Sequence, residues 1–135
     1  MQKVVGGKIV LGVVASMFFV AGWLLGQQTA TTQKTLMHVF AYTPRETATP
    51  QDFANFKKAT ADMVGKIPGL RQVWVGKLRR PLKQGDQERL YGVAMEFDDA
   101  AALDVYADHP AHKAWEQVYD KVRVPGTTTM DILGE

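Results

Sequence analysis

The segment Tyr106-Ala107-Asp108-His109-Pro110-Ala111-His112 places a phenol and two imidazoles within seven residues. An imidazole titrates near neutrality and can act as a general base, while a phenol can donate to a developing oxyanion. In a carbonyl aldol step, His112 would remove a proton α to a carbonyl and Tyr106 would donate to the enolate oxygen. Proline has no N–H and a locked φ, so Pro110 breaks one helix and can open the next. His109 is therefore expected at a helix junction, and His112 one turn into the following helix on the side that packs. Tyr106 and His112 stand six residues apart in sequence across that break, so they converge only if the proline bends the chain. A structural role competes with the catalytic one, with His112 pinning the junction through a backbone carbonyl or Tyr106. It is preferred, because perturbed buried groups often serve structure alone.

The remaining candidates are weaker. His109 precedes a proline, which pushes it toward extended geometry and a capping role. His38 lies among apolar neighbours, either as a satisfied core histidine or as a pocket group. His109 and His112 at i, i+3, with His38 or Asp108, make a poor metal site, because no carboxylate has suitable spacing and the proline disturbs the shared face. A haem would need one marked proximal histidine, and nothing distinguishes His112 for it. No metal and no cofactor are expected. Trp74 and Trp115 suit core packing first and a cavity wall second. Asp131 suits an edge or dimer hydrogen-bond acceptor. The chain contains no cysteine, which excludes disulfides, thiolate metal sites and thiol nucleophiles and leaves the redox compartment open.

The 135 residues have room for one domain. A composition of 46% hydrophobic and 22% charged residues is that of a globular protein. The net charge of +2 is too small to imply nucleic acid. The basic cluster Lys77, Arg79, Arg80 and Lys83 lacks the aromatic platform that single strands need, and reads as a solvated loop. At the N-terminus, Lys3 and Lys8 precede an uncharged apolar run from Ile9 to Gly26. Positive residues on that side orient the remainder outside the cytoplasm. The run lies between a signal peptide and a spanning helix in length. The expectation is a membrane-anchored protein, with secretion after cleavage as the alternative. Residues 1–26 then form the targeting segment, 27–34 a polar tether and 35–135 the folded domain.

Within that domain, Thr35–Tyr42 is β-rich and ends at a Thr43-Pro44 turn. Thr49-Pro50-Gln51-Asp52 opens a helix with an N-cap threonine, proline at the first position and an acid at the third. Its stripe of Phe53, Phe56, Met63, Val64 and Ile67 predicts helix up to Pro68-Gly69. Leu70–Leu78 and Leu90–Phe97 read as a hairpin joined by a polar loop over Arg79–Glu88. Asp98 or Asp99 caps a short helix through Tyr106, and Pro110 restarts helix to about Val122. Pro125-Gly126 then turns the chain into a last strand, Thr127–Leu133.

The order β-α-β-β-α-β, with the second helix broken at His109-Pro110, is an α+β, ferredoxin-like arrangement. Two helices on one sheet face leave the other face apolar, with Val73, Val75, Val93 and Met95 as its candidates. Covering that face calls for a homodimer. Met37-His38-Val39-Phe40, Ile67-Pro68-Gly69, Val75-Gly76, Tyr91–Phe97 and above all His109-Pro110-Ala111-His112 make residues 36–132 resemble the stress-responsive α/β-barrel (Dabb) family. The resemblance implies a dimeric α/β barrel with a cavity between each sheet and its helices. A plant member that closes a linear polyketide into an aromatic acid uses a tyrosine and a histidine of the motif as a catalytic pair. Those roles would fall on Tyr106 and His112, with a first-strand histidine on His38. Where that enzyme has a third-strand histidine, this chain has Tyr91. The expected ligand is a small apolar or aromatic molecule, with His38, Tyr91, His109 and Trp74 as further contacts. The alternative is a cofactor-independent enzyme, a cyclase or a monooxygenase.

Overall fold

A computed structural model describes residues 34–135. The apolar run Ile9–Gly26 and the tether up to residue 33 lie outside the described residues. Among those that are described, no helix is long and apolar enough to cross a membrane.

Four strands and three helices follow one another in the order β1 (Leu36–Pro44), α1 (Pro50–Asp62), β2 (Leu70–Gln84), β3 (Gln87–Phe97), α2 (Ala100–Asp108), α3 (Pro110–Val122) and β4 (Arg123–Leu133). The strands form one antiparallel sheet in the order β2-β3-β1-β4. This is the ferredoxin-like α+β fold, with its second helix divided at His109. The break has the expected cause: His109 takes extended ψ, ends α2 and caps α3, and Pro110 occupies the first position of α3, where its missing N–H costs nothing.

Helix α1 opens on the predicted capping box. The Thr49 hydroxyl accepts from the Asp52 amide at 3.1 Å, and the Asp52 carboxylate accepts from the Thr49 amide at 2.9 Å. The helix stops at Asp62 rather than running to Pro68. Gly65 at φ +83° turns the chain out of the helix, which leaves Val64 exposed while Met63 and Ile67 still reach the core. Asp99 is the cap of α2, accepting from the Ala102 amide at 2.9 Å.

Two further boundaries differ from expectation. The stretch Arg79–Glu88 continues the hairpin ladder and closes in a two-residue turn at Gly85-Asp86, with Gly85 at φ +59°. Pro81 is tolerated because β2 is an edge strand and its register is interrupted between Lys77 and Leu82. Strand β4 begins directly after α3 at Arg123, and Pro125-Gly126 forms an irregularity within it instead of a turn before it.

The parity of the sheet corrects the predicted open face. Cross-strand pairing sets His38 opposite Met95, Phe40 opposite Val93 and Tyr42 opposite Tyr91. Directly paired residues share a face, so Val93 and Met95 lie under the helices, fully buried, with Val73 and Val75 packed on the same core. The uncovered face carries the alternate set instead: Met37 and Val39 of β1, Trp74 of β2, Ala94 of β3, and Met130 and Ile132 of β4. Trp74, Met130 and Ile132 are 48%, 47% and 55% exposed. A shift of one residue in reading a strand exchanges its two faces, and continuous apolar runs such as Val73-Trp74-Val75 conceal which parity holds.

Candidate functional site

Between the helices and the β1–β4 half of the sheet lies a cavity of about 360 Å³. Strand β1 contributes His38 and Phe40; α2 contributes Leu103, Asp104, Tyr106 and Ala107. Helix α3 adds His112, Trp115, Glu116 and Tyr119, and β4 adds Arg123, Thr127 and Thr129. The broken helix brings Tyr106 and His112 together, their ring centroids 4.0 Å apart. From there an aromatic wall continues along α3, with His112 and Trp115 at 5.5 Å and Trp115 and Tyr119 at 4.8 Å, each pair inclined by 23°. Trp115 is locked in place by its Nε1–H, which donates to the Thr60 hydroxyl at 2.8 Å, while Thr60 donates to the Phe56 carbonyl.

The protonation pattern follows from the partners. His112 Nδ1 lies 3.1 Å from the Ala107 carbonyl oxygen. A carbonyl only accepts, so Nδ1 carries the proton and Nε2 of the neutral ring keeps its lone pair. Burial lowers the His112 pKa below 6.5, against an upward pull from that carbonyl and from Glu116. The ring is therefore neutral at pH 7 and has basic capacity at Nε2. The Tyr106 hydroxyl is bonded to no described protein group, and burial first, then the charge of Glu116, holds the phenol well above its ordinary value. It is a neutral donor. His38 sits 6.0 Å from the Tyr106 ring and donates from Nδ1 to Asp131 at 2.6 Å. Asp131 is its direct cross-strand partner, so this carboxylate orients His38 from within the sheet.

His38, Tyr106 and His112 thus meet at one cavity. His109 does not line it; its Nδ1 accepts from the Ala111 amide at 3.1 Å and caps α3. Tyr91 is stacked between Tyr42 and Phe53 and borders a separate pocket near Pro50 and Lys57. Trp74 stands on the open sheet face. Among the described residues, no three His, Asp or Glu side chains are grouped to hold a metal ion. Sequence reasoning missed Glu116, Arg123, Thr127 and Thr129. Glu116 was within reach, being four residues beyond His112 on the same helical face. The β4 residues carried no such signal, because their place depends on pairing with β1.

A family model described as Stress responsive A/B Barrel Domain matches residues 36–131. Among solved structures, a dimeric ferredoxin-like protein of unknown function from Bacteroides fragilis is 20% identical with a TM-score of 0.59, covering 76% of this chain and 99% of its own. A hydroxynitrile lyase from Passiflora edulis is 7% identical with a TM-score of 0.61, covering 74% and 93%. The cofactor-independent oxygenase SnoaB from Streptomyces nogalater is 16% identical with a TM-score of 0.50, covering 75% and 91%. At these identities the likeness is one of fold. No curated protein matches the chain.

Proposed function

The chain belongs to the stress-responsive A/B barrel (Dabb) family, and from that premise we propose an extracytoplasmic, membrane-anchored module that binds a small apolar or aromatic molecule between sheet and helices. One observation carries the reading: His38, Tyr106 and His112 converge on a single cavity whose wall is a run of aromatic rings. The aromatic wall favours a flat ligand body, and the polar side chains around it, such as His38, Tyr106 and His112, can orient it. The anchor rests on Lys3, Lys8 and the apolar run Ile9–Gly26; secretion after cleavage is the other outcome. A homodimer would cover the face that bears Trp74, Met130 and Ile132, and relatives of this fold are dimeric.

A second reading, cofactor-independent catalysis, is favoured by the Tyr106–His112 pair itself. His112 Nε2 would take the proton α to a carbonyl as the C–H electron pair moves into an enolate, and Tyr106 Oη would donate to that oxygen. A lyase and a cofactor-independent oxygenase share the fold, which is compatible with this chemistry.

Titration with a panel of small aromatic compounds, followed by NMR shifts, tests the shared site. Shifts centred on Tyr106, His112 and Trp115 are expected; binding elsewhere, or none, would overturn the reading. Alkaline extraction of membranes tests the anchor, and the protein should stay in the pellet. A form lacking Ile9–Gly26 that runs as a monomer at micromolar concentration would exclude the dimer.

A further inference from the structure

The cavity is electrically lopsided. Glu116 acts on both Tyr106 and His112, and Asp104 lines the same wall. At the other end stands Arg123, whose guanidinium carbon is 4.4 Å from the centre of the Tyr119 ring and whose Nη1 donates to Thr127 at 2.9 Å. The ten helical residues Lys113–Val122 lie between His112 and Arg123, roughly 16 Å along the axis. Arg123 has one acidic partner, Asp120, three residues back at 2.8 Å. Nε and Nη2 both donate to one oxygen of that carboxylate, at 2.8 Å each, and Nη1 donates to Thr127, which leaves one N–H on each terminal nitrogen for a ligand.

Arg89 adds positive charge from behind. It is only 5% exposed, yet its two hydrogen bonds go to neutral hydroxyls, Thr128 at 3.3 Å and Thr43 at 3.2 Å. Among the described residues no carboxylate lies within 4 Å of it. A buried guanidinium with no counter-charge is costly and calls for an anion nearby. Arg123 bonds Thr127 and Arg89 bonds its chain neighbour Thr128, which places the two cations at the same end of β4, although Arg89 itself does not line the cavity.

We propose that this end is an anion subsite, so that the ligand is an elongated unsaturated carboxylate. Its charged group lies toward Arg123 and Thr127, with Arg89 behind, and its far end lies against Tyr106 and His112. The aromatic wall along α3 suits a flat conjugated body, and Asp104 and Glu116 repel the carboxylate from the opposite end and so fix the orientation. This inference rests on the binding reading above and specifies the chemistry of the same cavity.

The test uses the full chain in detergent, with cinnamate and its neutral isostere cinnamamide as probes in an NMR titration. Cinnamate should bind at least tenfold more tightly than cinnamamide, with a preference that declines as salt rises. Arg123→Gln should remove most of that preference, since a hydrogen bond to a charged group corresponds to roughly tenfold or more. Arg89→Gln should reduce it too; if that variant fails to fold, Arg123→Gln and the salt series decide. Equal affinity for the two probes, or a preference that survives Arg123→Gln, overturns the anion subsite and leaves the pocket reading intact. Binding of neither probe overturns both.

Discussion

Tyr106→Phe separates a hydroxyl kept for a ligand from one kept for the fold. The Tyr106 ring is buried, 4.0 Å from His112 and 5.1 Å from Phe97 by centroid. Phenylalanine preserves both contacts and removes only Oη, which bonds to no described protein group. No intramolecular hydrogen bond is lost, so stability should stay within about 0.5 kcal/mol of the parent. For a domain of this size that is under about 4 °C in Tm. His112→Ala is the contrasting perturbation. It removes the 3.1 Å bond to the Ala107 carbonyl and a ring packed between Tyr106 and Trp115. One net hydrogen bond at about 1 kcal/mol and an aromatic contact at about 0.5–1.5 kcal/mol together give about 2 kcal/mol, a fall of roughly 8–16 °C. Thermal unfolding followed by near-UV circular dichroism measures both variants, and ligand titration on the same samples reads the site. If Tyr106→Phe melts as low as His112→Ala, its hydroxyl has a structural partner and the reasoning fails. If turnover is found, His112→Ala should also cost on the order of 10²–10⁴ in rate.

Burial lowers the His112 pKa below 6.5, so the unfolded chain binds the proton more readily and stability rises with pH through that range. The contribution is complete above about 6.5 and is lost as pH falls toward the folded value; a His112→Gln variant should show a flatter Tm profile between pH 7.5 and 5. Thr60→Val should cost about 1–3 kcal/mol in denaturant unfolding, because it strands the buried Trp115 Nε1–H that Thr60 accepts at 2.8 Å. Gly69→Ala should cost more than about 2 kcal/mol in the same assay: Gly69 has φ +79°, and a Cβ there would meet Ala102 Cβ at 2.4 Å.

Local chemistry was legible wherever a signal needs only near neighbours. The Thr49–Asp52 capping box, the Pro110 break and the cap at His109 depend on steric and hydrogen-bonding rules that act within four residues, and each stands as read. So does the meeting of Tyr106 with His112, because one bend between two short helices suffices to bring it about. The order of strands and helices was equally readable from turn signals and periodicity. The end of α1 was misread because Met63 and Ile67 continue an apolar stripe past Gly65, where backbone conformation rather than burial ends the helix.

What the tertiary structure decided is what depends on pairing across the sheet. Val73-Trp74-Val75 has no alternation that reveals which residue faces the helices; only its register against Met95, Ala94 and Val93 sends the tryptophan outward. Asp131 became the partner of His38 because β4 pairs with β1, although 93 residues separate them in sequence. Tyr91 matched a pocket position by its place in a strand, yet Phe53 and Tyr42 enclose it on another part of the core. Arg89 reaches the Thr128 hydroxyl of β4 for the same reason. Propensity, capping and turns are local energies that a sequence carries in the open, whereas face, register and charge compensation arise only when distant strands meet.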